Sequence, residues 1–136
     1  MKKRREIRVA VADDNVAFRR AFLEMLRRNN RVIRVVAEAG NGEELLSLAR
    51  SAPVDVFVMD IEMPVLNGID AVERLLREKP GSKVVVLSMY RDRVLVEKAF
   101  RAGARGYVLK ESAAEDIVQA IVEVNKGGSW SSPQIR

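Results

Sequence analysis

Five short apolar runs, rich in β-branched residues, alternate with stretches of helical periodicity along this chain. The runs span residues 7–12, 31–39, 54–59, 83–88 and 106–110. After the first run, Phe18, Phe22 and Leu26 place apolar side chains four residues apart, and helical spacing follows each of the other runs as well. Because strands that alternate with helices of this length form βαβ units, the pattern predicts an α/β fold with a parallel sheet.

The composition of each run indicates where its strand lies in the sheet. The third and fourth runs are apolar at nearly every position, which is typical of central strands covered by helices on both faces. The second run carries Arg31, Arg34 and Glu38, which favours an edge position. Turn-forming residues such as Pro64 and Gly68 separate the elements.

Several classes of function are excluded or disfavoured by composition. The 136 residues fit one domain and include no histidine and no cysteine, so acid–base or metal chemistry must use carboxylates, lysine or hydroxyls. The net charge is +5, but the basic residues are dispersed, and we interpret those of the first helix as a solvated face rather than a nucleic-acid site. These are Arg19, Arg20, Arg27 and Arg28.

No part of the sequence indicates a membrane segment. No apolar run approaches the ~20 residues of a transmembrane helix. The basic residues 2–5 are not followed by the apolar stretch of a signal peptide. We therefore expect a cytoplasmic chain without membrane contact.

Polar residues end the predicted strands. The first run ends in Asp13 and Asp14, the third in Asp60, the fourth in Ser88 and the fifth in Lys110. Since the carboxyl ends of parallel strands meet at one edge of a sheet, where α/β proteins bind ligands, we expect these side chains to lie close together.

This combination predicts magnesium-assisted phosphoryl chemistry. Three neighbouring carboxylates repel one another and need a cation, and oxygen ligands without histidine or cysteine suit Mg²⁺. Asp60 beside such an ion is a plausible nucleophile toward phosphorus, with Lys110 and Ser88 available to the phosphoryl oxygens. Each residue alone also fits an ordinary role, as a helix cap, a turn residue or a solvated charge. Their shared position at strand ends favours the functional interpretation.

The motifs "VADDN", "FVMDIEMPVLNGID", "VVVLSMYRD" and "AGARGYVLKES" resemble those of the receiver domains of two-component response regulators. The closing "GG" and the "GARGYVLK" run are similar to the NarL/FixJ (LuxR-type) branch, whose receivers precede a helix-turn-helix domain. The resemblance implies a doubly wound, flavodoxin-like (βα)5 fold with strand order 2-1-3-4-5. Residues 1–126 would form the receiver, and 127–136 a tail or the start of a linker.

The resemblance also implies roles for the residues at the strand ends. Asp60 would be the phosphoacceptor. Asp14, Asp60 and the backbone carbonyl of Glu62 would ligate Mg²⁺ directly, and Asp13 mainly through water. Tyr90 would lie near the entrance for the phosphoryl group. Glu62 and Tyr90 would also influence the lifetime of the phosphorylated state.

Further residues are implied in binding and switching. Ser88 would donate a hydrogen bond to the phosphoryl group, and Lys110 would form an ion pair with the phosphoryl group. Tyr107 would turn inward when Ser88 moves. The alternative is that Tyr107 is an ordinary amphipathic residue at the edge of the sheet, with no role in switching. The chain departs from the common pattern of such receivers by carrying Ser88 in place of a frequent threonine and Glu111 in place of a proline after the lysine.

The implied partners are a sensor histidine kinase, a second copy of the chain after phosphorylation, and DNA through a C-terminal domain absent from this chain. The dimer would use either the fourth helix and fifth strand or the first and fifth helices. The chain is either cut from a longer transcription regulator, which its tail favours, or a stand-alone receiver.

Two other functions compete with a non-enzymatic receiver. A Mg²⁺-dependent phosphohydrolase would also pass through an aspartyl phosphate, but such enzymes usually need a cap or insertion, and every connection here is short. A flavodoxin-like cofactor binder would need a phosphate-cradling loop after the first strand, where Asp13 and Asp14 would repel phosphate.

Overall fold

The computed structural model describes residues 6–29, 31–63 and 66–135. Its strands are β1 (Ile7–Ala12), β2 (Ile33–Ala39), β3 (Val56–Asp60), β4 (Val84–Ser88), β5 (Gly106–Leu109) and β6 (Trp130–Ser131). Its α-helices are α1 (Val16–Arg27), α2 (Gly42–Ser51), α3 (Gly68–Glu78), α4 (Arg93–Ala102) and α5 (Ala113–Asn125). Short 3-10 helices cover Lys110–Ser112 and Pro133–Ile135.

All strands pair in parallel, in the order β2-β1-β3-β4-β5-β6. This confirms the predicted α/β fold and the order of the first five strands. The edge position of β2 and the central positions of β3 and β4 are also confirmed, and every residue of those two central strands is buried.

Helices cover both faces of the sheet because the strands are apolar on both sides. Along β4, Val84 and Val86 face the cluster formed with α2, α3 and α4, whereas Val85 and Leu87 face the cluster formed with α1 and α5. This alternation follows from the two-residue period of a strand.

Asparagine caps start three helices directly above the sheet. The side chains of Asn15, Asn41 and Asn67 accept hydrogen bonds from the backbone N–H groups of Phe18, Glu44 and Asp70, at 2.9, 2.9 and 3.0 Å. Each cap satisfies a donor of the first helical turn.

A close backbone approach holds the connection after β3. A Cβ atom at Gly68 would lie 2.5 Å from the Cα of Ile61 and 2.6 Å from the carbonyl oxygen of Asp60. The Gly68 N–H donates to the Ile61 carbonyl at 2.9 Å. Only glycine fits there without displacing the backbone beside Asp60.

The structure adds a sixth strand within the segment predicted as a tail or linker. β6 pairs with β5 through Gly106 and Tyr107. The domain boundary after residue 126 stays a prediction, but residues 130–135 lie against the sheet. The basic run at residues 2–5 and Pro64 of the predicted turn lie outside the described residues. Among the residues that are described, no helix is long and apolar enough to cross a membrane.

Candidate functional site

Three carboxylates meet at the carboxyl edge of the sheet. Asp13 and Asp14 follow β1, and Asp60 ends β3, the neighbour of β1. Each side chain offers an oxygen, and these oxygens lie within 4.8 Å of one another. Asp13 is fully buried, Asp60 is 5% exposed and Asp14 is exposed. The strand ends thus bring together the three acids that the sequence predicted; we call them the acidic site.

Lys110 supplies positive charge to the acidic site. It follows β5, and its ammonium nitrogen lies 2.9 Å from Oδ2 of Asp13 and 3.4 Å from Oδ2 of Asp60. The ammonium also lies 4.4 Å from the ring centroid of Phe18, which stacks on Phe22. A cation over an aromatic face is attracted by the ring quadrupole. The side chain of Lys110 is therefore held between α1 and the acids.

The electrostatic state of Asp60 reflects its burial. Desolvation raises the pKa of Asp60 to about 6, with the Asp13 charge acting in the same direction, whereas the Glu62 N–H and Lys110 oppose the rise. Burial acts to lower the pKa of Lys110, but the hydrogen bond and charge of Asp13 and the charge of Asp60 outweigh it, so that pKa is raised. An uncompensated negative charge at the acidic site is therefore destabilising, and the site favours cations.

Backbone contacts orient the two buried acids. Oδ1 of Asp13 accepts the N–H of Asn15 at 2.8 Å, and Oδ1 of Asp60 accepts the N–H of Glu62 at 3.1 Å. The guanidinium of Arg19 donates to the backbone carbonyl of Asp13 and to the Glu38 carboxylate, the latter at 3.0 Å. These contacts fix the carboxylates before any ligand arrives.

The prediction that Arg19, Arg20, Arg27 and Arg28 form a solvated face is wrong for Arg19. The side chain of Arg19 is 16% exposed and contacts the loop that carries Asp13, whereas Arg20, Arg27 and Arg28 are exposed as predicted. Helical spacing alone places Arg19 among polar neighbours. It does not show that the loop after β1 folds back within reach of the guanidinium.

The acidic site fits a hard divalent cation. Its ligands are carboxylate oxygens, one of them exposed on Asp14, with neither histidine nor cysteine in the sequence. Mg²⁺ prefers such a set because it keeps several waters and takes few carboxylates. Asp14 faces solvent, so a hydrated ion can reach the two buried acids from that side.

Ser88 and Tyr107 are buried next to the acidic strand ends. Ser88 ends β4, is fully buried and accepts the N–H of Tyr90 at 3.0 Å. Tyr107 lies on the neighbouring strand β5 and is also fully buried, and its hydroxyl donates to the carbonyl of Tyr90 at 2.8 Å. The ring therefore lies inside the protein, between the sheet and the loop after β4. Its role as a switch stays a prediction.

Two contacts near the entrance were not anticipated from the sequence. The hydroxyl of Tyr90 donates to Oε2 of Glu62 at 3.3 Å, and Arg91 pairs with Glu111 at 3.0 Å. Each joins two different loops of the carboxyl edge. Their partners lie 28 and 20 residues apart in the chain, so local patterns do not reveal them.

Comparison with known proteins agrees with this geometry. Residues 9–122 match the family model of the response regulator receiver domain. The chain is 39% identical to the response regulator GacA of Pseudomonas aeruginosa over 129 residues, which cover 95% of this chain and 60% of that protein. This chain therefore spans less than two thirds of that relative's length.

Solved structures show the same similarity. A LuxR-family two-component response regulator from Aurantimonas sp. SI85-9A1 has 31% identity and a TM-score of 0.91, covering 96% of this chain and 93% of that one. The receiver domain of the putative response regulator NarL from Mycobacterium tuberculosis has 31% identity and a TM-score of 0.83, covering 90% and 98%.

Proposed function

This chain belongs to the response regulator receiver domain family, and on that premise we propose that it accepts a phosphoryl group on Asp60 from a sensor histidine kinase. The observation that carries the proposal is the placement of Asp60: it is nearly buried at the end of β3, within 3.4 Å of Lys110 and beside two further acids. Phosphorylation then changes the conformation that controls an output, which we propose to be transcription. The location of the chain in the cytoplasm is part of this proposal.

In the proposed transfer, a carboxylate oxygen of Asp60 forms a bond to phosphorus as the bond from phosphorus to the donor's imidazole nitrogen breaks. The nitrogen keeps the electron pair of the broken bond. With a pKa of about 6, Asp60 is mostly ionised at neutral pH, so the attacking oxygen is available without a general base.

The chain's own groups stabilise the transferred phosphoryl oxygens. Lys110 already lies between Asp13 and Asp60, and its ammonium can turn from these acids to the phosphoryl group. Ser88 ends the neighbouring strand and offers a hydroxyl. When bound, Mg²⁺ would neutralise charge on the phosphoryl oxygens, held by Asp14, Asp60 and the Glu62 carbonyl, with Asp13 acting through water.

The proposed output begins at Ser88. When its hydroxyl donates to the phosphoryl group, its oxygen can still accept the N–H of Tyr90, whose carbonyl accepts the hydroxyl of Tyr107. The loop after β4 and the buried ring of Tyr107 therefore respond together. Such coupling only needs to bias an existing equilibrium between two conformations.

We further propose that phosphorylation favours a homodimer and that DNA is bound through a C-terminal domain not included in this chain. This chain covers 60% of the response regulator GacA, so that relative has room for a further domain. The dimer face is either α4 with β5 or α1 with α5. Paired output domains would then bind two half-sites.

Intact mass spectrometry after incubation with acetyl phosphate tests the acceptor function. We expect one phosphoryl adduct that requires Mg²⁺, and none in Asp60→Asn. Asp70→Asn, which changes an exposed aspartate on α3, is the matched control and should be phosphorylated normally. A full adduct in Asp60→Asn would refute the proposal. Multiple turnovers of phosphate esters would instead favour the phosphohydrolase.

A further inference from the structure

We propose that Ser132 and β6 transmit the state of the phosphorylation site to the C-terminal end of the chain. This inference rests on the proposed function of Asp60. It assigns a role to a segment that the sequence predicts to be a tail or the start of a linker. The contacts form a continuous path from Ser88 through Tyr90 and Tyr107 to Ser132.

The first part of the path joins the end of β4, the loop that follows it and β5. The hydroxyl of Ser88 accepts the N–H of Tyr90 at 3.0 Å, and the carbonyl of Tyr90 accepts the hydroxyl of Tyr107 at 2.8 Å. Both Ser88 and Tyr107 are fully buried. A displacement of the Ser88 hydroxyl therefore changes the environment of the Tyr107 side chain.

The second part joins Tyr107 to the C-terminal segment. The N–H of Ser132 donates to the carbonyl of Tyr107 at 3.0 Å, and the hydroxyl of Ser132 accepts the N–H of Leu109 at 2.9 Å. Ser132 thus binds β5 on both sides of Val108 and is itself fully buried. One more bond, from the N–H of Trp130 to the carbonyl of Arg105 at 3.0 Å, completes the pairing.

The end of the described chain also packs on this side of the sheet. Ile135 is half-buried and contacts the hydrophobic cluster that contains Tyr107 and Leu109. The N–H of Ile135 donates to the carbonyl of Ser132 at 3.0 Å. Ser132 therefore links β5 to the segment that ends at Ile135.

The size of β6 makes it suitable for such a role. Its ladder contains two residues, so its pairing depends on few hydrogen bonds and opens at lower cost than the central strands. In the structure, an inward Tyr107 and a paired β6 occur together. A phosphoryl group that favours the inward ring should therefore also favour the paired strand.

Amide hydrogen exchange of residues 130–135 tests the inference in this chain. The chain is treated with acetyl phosphate and Mg²⁺, and intact mass gives the phosphorylated fraction in the same sample. We expect phosphorylation to slow exchange at Trp130 and Ser132 by about fivefold, the factor that one hydrogen bond contributes. Trp130 is the sole tryptophan, so its fluorescence provides a second signal.

Two variants separate the path from general stability. Ser132→Ala removes the hydroxyl that accepts from Leu109, and it should be phosphorylated like the parent chain but lose the slowing at Trp130. Gln134→Ala, at an exposed neighbouring position, is the matched control and should keep it. A phosphorylated Ser132→Ala chain with the full slowing would overturn the inference, as would a phosphorylated parent chain with unchanged exchange.

A third variant tests the path without phosphorylation. Tyr107→Phe removes only the hydroxyl that donates to Tyr90, and we expect faster exchange at Trp130 and Ser132 in the unmodified chain. Unchanged exchange at Trp130 and Ser132 would show that the hydroxyl of Tyr107 is not coupled to β6. If no phosphoryl adduct forms at all, the proposed function fails, and this arm still decides whether the side chain of Tyr107 is coupled to β6.

Discussion

Replacing Asp60 by asparagine should stabilise the Mg²⁺-free chain at neutral pH. Asp60 has a pKa of about 6 in the folded chain against an ordinary value of 3.8, chiefly because burial disfavours its charge. At about 1.4 kcal/mol per pKa unit, the rise from 3.8 to about 6 sets an upper limit of about 3 kcal/mol on the stabilisation by Asp60→Asn. Solvent at the carboxyl edge of the sheet screens part of this electrostatic penalty, so the measured stabilisation should be smaller. Asparagine keeps the shape and removes the charge.

The sign of the effect depends on pH. The folded state binds the Asp60 proton more tightly than the unfolded state, so the stability of the parent chain falls as pH rises from about 4 to 6. Above this interval both states are ionised and the full penalty remains. Asp60→Asn lacks this titration, so its advantage should be largest above pH 7 and smallest below pH 4.

Thermal unfolding in EDTA measures the difference. For a chain of 136 residues, 3 kcal/mol corresponds to a rise in Tm of about 10 °C at most. Glu115→Gln removes an exposed carboxylate of α5 and serves as the control for net charge. An Asp60→Asn chain that is no more stable at pH 8, or equally stabilised at pH 4 and pH 8, would refute the reasoning.

Three further predictions concern the metal, the lysine and association. Mg²⁺ at ten times its Kd should add about 1.4 kcal/mol of stability, and Asp14→Ala should remove most of the rise in Tm; an undiminished rise would place the metal elsewhere. Lys110→Met should raise the pKa of Asp60 further and slow phosphorylation by acetyl phosphate about 100-fold, as shown by rate–pH profiles; an unchanged rate would exclude a role for the ammonium. Beryllofluoride, which mimics the phosphoryl group, should strengthen self-association in sedimentation experiments, and no change at high concentration would count against the dimer.

The main features of the fold could be predicted because they follow from local periodicity. Apolar runs of period two and helices of period 3.6 specify a parallel α/β sheet, and β-branched runs without charge specify its centre. The gathering of Asp13, Asp60 and Lys110 follows from the same rule, since parallel strands end at one edge. The acidic site is therefore a consequence of topology.

The features that escaped prediction depend on tertiary contacts. β6 has two paired residues in a segment rich in glycine and serine, which gives no strand periodicity. The hydroxyl of Ser132 accepts the N–H of Leu109, as a backbone carbonyl would in a longer strand, and Ser132 is buried by this contact. The two residues lie 23 positions apart in the chain, so local patterns do not reveal the contact. Arg19 lies on the polar side of α1 by helical spacing, but the loop after β1 turns toward it.

Chemical mapping of the phosphorylated residue tests the central claim most directly. Borohydride reduces an aspartyl phosphate to homoserine, which tandem mass spectrometry locates in peptides of the chain treated with acetyl phosphate and Mg²⁺. We predict homoserine at position 60 alone, and none when Mg²⁺ is withheld. Homoserine at position 13 or 14, or a phosphoryl group that resists borohydride, would contradict the assignment of Asp60 as the acceptor.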